Sequence, residues 1–232
     1  MKTKEEIMYL RIRNLCGLLG VLLPWIALFS ANLVKPHPSA EWWWSISATY
    51  YQTSALVGIL TPACLVLLTY EGYDKWDNWI TSLSGLFGMG IVLFPCEVNW
   101  IDPNALVGFF KLPMHVSAII HGTCAAIFFL LLAFNSAFLF TKTGDEPMTR
   151  RKKIRNVVYR VCGYGMLGVE VLFVMTKLLH FPGYWVMICE IVLLLLFGIS
   201  WLVKGEAFPF LNDTKEDIAR LEALKQQEAA ED

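Results

Sequence analysis

Thr149-Arg150-Arg151-Lys152-Lys153-Ile154-Arg155-Asn156-Val157-Val158-Tyr159-Arg160 leads straight into an apolar stretch, 157–178, that is long enough to cross a bilayer. Lys and Arg concentrated beside such a stretch mark its cytoplasmic boundary. Attraction of each basic residue to anionic lipid adds about 1 kcal/mol. A transmembrane helix needs about 20 mostly apolar residues, and working outward from this boundary six segments qualify: 14–34, 52–70, 79–96, 114–140, 157–178 and 183–203. If they alternate in direction, sixteen of the nineteen Lys and Arg residues fall on the side of the basic strip, and only Lys35, Lys111 and Lys177 fall opposite. The expected fold is therefore all-α, a polytopic six-transmembrane-helix bundle with both termini cytoplasmic. Residues 1–13 form an N-terminal segment, 14–204 the transmembrane domain and 205–232 a cytoplasmic tail. The expected location is the plasma membrane (the bacterial inner membrane).

Composition agrees. Charged residues make up 17% of the chain and mean hydropathy is +0.51, whereas a soluble domain carries about a quarter charged residues. Membrane lipids and a small polar ligand are the expected partners, nucleic acid is not, and oligomerisation stays open. The first apolar run follows Glu5 and Glu6 and lacks a small-residue cleavage pattern, so it reads as a span and not as a signal peptide. The six cysteines lie one in or beside each span with no CxxC spacing, which suits packing residues better than a disulfide framework. Over 213–231, Asp213 or Thr214 followed by Asp217 has the spacing of a capping box and predicts a short helix with an apolar stripe at Ile218, Leu221 and Leu224.

The polar residues inside the spans carry the functional signal. Ionisable groups at bilayer depth cost roughly 2.5–3.5 kcal/mol or more, so they face a bundle interior or a wet cavity. The candidates are His115, His121, Glu170, Lys177, His180 and Glu190. At 1.5 Å per residue, His121 lies about 9 Å below His115, Glu170 about 12 Å below the outer end of its span, and Glu190 about 10 Å below the same face. All six thus fall in the outer leaflet, which predicts a polar pocket opening outward. Glu170 and Lys177, seven residues apart, share a helix face but lie two turns from one another. His180 falls within a turn of Lys177 at the same mouth. Ser117 and His121 form an i,i+4 pair, while His115 belongs at the rim. As zinc ligands, His121, Glu170, His180 and Glu190 are chemically sufficient, but no HxxxH or HExxH spacing supports them.

The stretch Trp42-Trp43-Trp44-Ser45-Ile46-Ser47-Ala48-Thr49-Tyr50-Tyr51-Gln52 suits an interfacial aromatic belt. It also suits a lid that presents the hydroxyls of Ser45, Ser47 and Tyr50 to a headgroup. Residues 44–51, the turn Tyr70-Glu71-Gly72-Tyr73-Asp74-Lys75-Trp76-Asp77-Asn78, and Gly90-Ile91-Val92-Leu93-Phe94-Pro95 followed by a histidine in the fourth span resemble an uncharacterised bacterial six-helix integral membrane family, and more distantly the DRAM-like and Frag-type proteins. That resemblance implies six helices, cytoplasmic termini and a long first external loop, and it brings no activity. A weaker likeness is to the alkaline-ceramidase-like membrane hydrolases, which implies zinc chemistry with Ser47 and His121 in its roles. No second histidine follows Ser47 closely, and there is no seventh span.

The leading expectation is a protein that binds or passes a small polar ligand or lipid headgroup, with His121, Glu170, Lys177, Glu190, His180, Ser47 and Tyr50 at the site and no cofactor. The alternatives are a zinc-dependent membrane lipid hydrolase, with Glu170 as general base, and a membrane assembly or regulatory subunit acting through the tail.

Overall fold

A computed structural model describes residues 3–34, 45–72, 74–143 and 148–231, with side chains described as far as residue 224. The Trp42-Trp43-Trp44 run lies outside the described residues. The main elements are α1 (Lys4–Leu33), α2 (Ala55–Thr69), α3 (Lys75–Leu93), β1 (Leu106–Val107), β2 (Leu112–Pro113), α4 (Met114–Phe134), α5 (Arg150–Leu178), α6 (Tyr184–Lys204) and α7 (Lys215–Glu231). The fold is helical, with one addition to the all-α expectation: β1 and β2 pair antiparallel in the loop between α3 and α4.

Several helices extend beyond the apolar runs that announce them. Helix α1 begins where Thr3 and Glu6 close a reciprocal capping box, well before residue 14. Such a box satisfies two N–H groups that a helix start otherwise leaves without partners. Helix α5 begins at the cap Thr149, whose hydroxyl accepts from the Lys152 N–H, so the basic strip is itself helical. The over-long fourth segment does not remain one regular helix. After Phe134 it passes through a widened turn, Asn135–Leu139, closed by a hydrogen bond from the Phe140 N–H to the Asn135 carbonyl at 2.9 Å. Turns of this kind re-aim side chains. Here Asn135 donates to Thr81 of α3 and Ser136 to Ser200 of α6.

Among the described residues, four helices, α1, α4 with its terminal turn, α5 and α6, are long and apolar enough to cross a membrane. Helix α2 has only 15 residues, and α3 opens with the polar Lys75-Trp76-Asp77-Asn78, so neither reaches the same length and composition. Large apolar side chains are turned outward on these helices, including Phe29 at 66% exposure and Ile119 at 69%. Apolar surface of that kind seeks lipid or a partner.

Each of α1 to α6 packs against its neighbours in the chain, and α6 returns to pack against α1, closing a ring. Glycine makes this closure close. A Cβ on Gly17 would sit 2.8 Å from the Gly198 carbonyl oxygen, and one on Gly198 would sit 2.7 Å from that of Gly17. At one end of the ring, aromatic side chains fill the axis. Trp201, fully buried, makes edge contacts with Tyr70 at 5.1 Å and Phe140 at 5.4 Å, and Phe140 does the same with Tyr159 at 5.4 Å. Arg13 lies over Tyr70 and Lys204 over Phe140, so this is the basic end. The opposite end carries the Ser47–Tyr51 turn and the β-hairpin, where Val107 of β1 forms a small second core with Ala48, Val98 and Met114.

At the basic end, Lys142 reaches Asp74 at 2.8 Å and Asp77 at 2.7 Å, tying the end of the α4 column to the start of α3. The hydrogen bond from Lys142, joined by the Asp77 N–H, holds the Asp74 carboxyl below the usual range. A lowered carboxyl pKa stabilises above its unfolded value of about 4, and the contribution is lost as pH falls through the folded value. Lys142→Met is therefore expected to lower the melting temperature by a few degrees at pH 7, and the gap from wild type should shrink on acidification below about pH 4. A gap that stays constant through that range would show that Lys142 acts by packing alone.

The same end holds the tail. Arg155 pairs with Asp213 at 2.7 Å and Arg151 with Asp217 at 3.0 Å, while both guanidinium groups donate to backbone carbonyls of 210–212. Thr214 caps α7 in the expected capping box with Asp217. Part of the basic strip thus grips the chain's own C-terminal segment.

Candidate functional site

A cavity of about 420 Å³ opens in the half of the ring that carries the hairpin. All six ring helices contribute to its wall, and the Ser45-Ile46-Ser47 segment and the Cys96-Glu97 loop complete it. Its floor is apolar, built by Leu60, Phe128, Phe129, Leu193 and Leu194. Its polar groups are Ser45, Ser47, Glu97, His121, Glu170, Lys177 and Glu190. The volume lies within the roughly 300–1,000 Å³ of ordinary small-molecule sites.

The local structure explains each position. Helix α3 ends at Leu93 because Phe94 and Pro95 leave helical geometry, and Pro cannot continue the hydrogen-bond ladder. Two α4 side chains meet the carbonyls freed there. Ser117 donates to Pro95 at 2.8 Å, and Nδ1 of His121 lies 2.7 Å from the Phe94 oxygen. A carbonyl only accepts, so Nδ1 carries the proton in this contact. The i,i+4 spacing read from the sequence is what places both residues on the end of α3. His121 is buried, at 6% exposure, and has a positioning role as well as a place in the wall.

Glu190 performs a comparable task from α6. Its carboxylate accepts from the Ser45 hydroxyl at 2.9 Å, the Ser47 hydroxyl at 2.8 Å and the Ile46 N–H. Those donors open the Ser47–Tyr51 turn, so Glu190 caps from another helix a turn that lacks a side-chain cap of its own. The Ser47 hydroxyl, expected to face a ligand, lines the cavity with its proton engaged by Glu190.

Glu170 differs. It lines the cavity from α5, yet among the described residues it makes no hydrogen bond or ion pair. Lys177 stands two turns away at the exposed rim, with Nζ 5.8 Å from the centre of the Phe173 ring. The two share a wall without touching.

The structure therefore brings His121, Glu170, Lys177, Glu190 and Ser47 to one cavity. Tyr50 packs against the core edge-on to Tyr51 and is not part of the wall. His180 is exposed in the turn after α5, where its φ of 54° directs the chain away from the helix. His115 is exposed near the start of α4, as its rim assignment requires. Sequence reasoning missed Cys96, the last residue of the third apolar segment, which reads there only as a packing residue, and Glu97, which follows it and reads only as loop. It also missed the small residues Ala118, Gly122, Ala125 and Ala126, whose spacing keeps one face of α4 low beside the cavity.

Among the described residues, no group of three or more His, Cys, Asp or Glu converges as metal ligands would. Of the four residues weighed for zinc, His121, Glu170 and Glu190 line the cavity, both oxygens of Glu190 being engaged by Ser45, Ile46 and Ser47, and His180 lies off the wall. Family models, curated proteins and solved structures give no match to this chain, so the site is read from its own geometry.

Proposed function

We propose that this chain is an integral membrane protein of six spans, both termini cytoplasmic, whose outward cavity binds an amphiphile by a polar head at the rim and an apolar tail on the floor. The observation that carries this reading is the division of the cavity wall. Carboxylates, a lysine and hydroxyls gather toward the hairpin end, and leucine and phenylalanine close the bottom. Such a wall suits neither a bare ion nor a fully apolar guest, since an apolar floor offers no ligands and a buried polar rim needs partners.

Two further features support the arrangement. The basic end, with Lys142, Arg151, Arg155 and Lys204, has the composition of a cytoplasmic face. Below the cavity the axis is filled by Phe197, Trp201 and Phe140, which favours holding a ligand over conducting one. Helix α2, though short, is preceded by the Ser47–Tyr51 turn, which continues the column toward the outer surface.

Native mass spectrometry of protein extracted from membranes tests the reading. Wild type should retain one bound amphiphile per chain. Ala125→Trp, which fills the cavity from a position packed against the core, should lose it with the fold intact by circular dichroism. Equal retention by the two proteins would remove the cavity as the binding site. In intact cells, a maleimide label at Phe109→Cys should react from outside and one at Lys215→Cys only after lysis; the reverse pattern would invert the topology.

A further inference from the structure

We propose that the ligand is a single-chain amphiphile bearing an ammonium group, which enters sideways between α4 and α5 and sets its head against Glu170. This rests on the reading that the cavity holds an amphiphile.

The wall's charge points to the head. Three carboxylates, Glu97, Glu170 and Glu190, face one ammonium, Lys177. Glu190 is committed to Ser45, Ile46 and Ser47, but Glu170 has no hydrogen-bond or ion-pair partner among the described residues. A half-buried carboxylate without donors is costly, and an arriving ammonium supplies both the counter-charge and the N–H groups it lacks. The Phe173 ring, on the same wall, adds a face for a cation. An anionic head would find Lys177, the one cation among the described wall residues, out at the exposed rim, and would have to approach carboxylates to seat its tail. A neutral hydroxyl head offers Glu170 one hydrogen bond but no counter-charge.

The packing of α4 against α5 points to the route. Near the basic end these helices touch: a Cβ on Gly163 would sit 2.7 Å from both the Ala133 carbonyl oxygen and the Ala137 Cβ. Further up, α4 is open beside the cavity: a Cβ on the wall residue Gly122 would meet nothing within 4 Å. Gly122 and Val174 line the cavity and are also exposed, Val174 at 52%. Both belong to helices apolar enough to span a membrane, so a gap beside them would face lipid. An alkyl chain reaching the floor through this gap stays in apolar surroundings throughout, with about 0.8 kcal/mol per methylene at stake against a path through water. The volume of about 420 Å³ suits one such chain.

The test uses full-length protein in nanodiscs of zwitterionic lipid and follows quenching of tryptophan fluorescence by dodecylamine, dodecanol and dodecanoate, with lysophosphatidylethanolamine as a fourth probe. Dodecylamine should bind about tenfold more tightly than dodecanol or dodecanoate, the factor given by about 1.4 kcal/mol. Glu170→Gln should bring the three together, and Ala125→Trp should abolish the signal, which separates cavity binding from partition into the disc. If lysophosphatidylethanolamine displaces dodecylamine, the natural source is a lipid headgroup; if it does not, the source is a free long-chain amine. Both outcomes keep the ammonium chemistry. Dodecanol binding as tightly as dodecylamine, or a preference that survives Glu170→Gln, overturns the proposal while leaving amphiphile binding in place. Absence of binding by all four probes overturns both. The wild-type series stands by itself if Glu170→Gln fails to fold. Gly122→Trp should slow association several-fold, and an unchanged rate overturns sideways entry.

Discussion

Gly198→Leu is expected to open the helical ring and to produce one of the largest losses of stability available to a single substitution in this chain. The new side chain would start 2.6 Å from Val21 Cγ2, 2.7 Å from the Gly17 carbonyl oxygen and 2.8 Å from the Val21 nitrogen. Two of these neighbours are backbone, so a rotamer change cannot relieve the overlap; α1 must move away from α6. Overpacking usually costs about 1–3 kcal/mol, and the upper end is expected here because Gly17 and Gly20 meet α6 just as closely. In a membrane the association of helices rests on such close approach, since lipid tails are as apolar as leucine. Thermal unfolding in mild detergent is the measurement, with Gly168→Ala as the control, because a Cβ at that position meets nothing. Equal melting temperatures for the two variants would show that the α1–α6 contact does not hold the ring closed.

This contact also shows where the sequence stopped being readable. The apolar runs gave the helices because hydropathy is a local property, and the depths of His121, Glu170, Lys177 and Glu190 followed from counting residues inward. Ring closure depends on Gly17, Gly20 and Gly198 meeting across nearly the whole length of the chain, and a glycine in an apolar run has no local mark that says what it will touch. The early start of α1 was in fact written in Thr3-x-x-Glu6, but that capping box lies in a charged segment, and a search for apolar stretches passes over it.

Of the expected residues, His121, Glu170, Lys177 and Glu190 line the cavity from regular helices, where phase and depth are fixed by geometry, and Ser47 lines it from a turn. Those off the wall, His180 and Tyr50, also lie on turns. His180 left the mouth because the chain changes direction after Leu178, at a residue of positive φ. Tyr50 turned into the core because a tight turn over Ser47–Tyr51 rotates successive side chains by about a third of a circle each. Glu97 enters the wall from the irregular segment that follows α3. The grip of Arg151 and Arg155 on Asp213 and Asp217 was equally hidden, since like the closure of the ring it joins segments remote in the chain.

The other large effect is expected at Glu190, where three donors meet one side chain. Glu190→Ala would leave the Ser45 and Ser47 hydroxyls and the Ile46 N–H without their acceptor. The two hydroxyls can turn to water in the cavity, but the N–H belongs to a residue buried to 2% exposure and cannot follow them. An unsatisfied buried group costs about 1–3 kcal/mol, and weakening of the two hydroxyl contacts brings the expected loss to about 3 kcal/mol. Because Ile46 and Thr49 are packed into the molecule beneath this latch, the loss should also be visible as movement of the segment. A thiol introduced by Thr49→Cys, at a position with no exposure in the folded protein, should resist maleimide when Glu190 is intact and react once Glu190→Ala is added. Glu190→Gln keeps one acceptor oxygen, which can hold the Ile46 N–H, while its amide can donate to a serine hydroxyl that reverses its role; it should therefore fall between wild type and alanine on both measurements. If alanine and glutamine behave alike, the carboxylate acts only by filling space, and the turn is held by the packing of Ile46 instead.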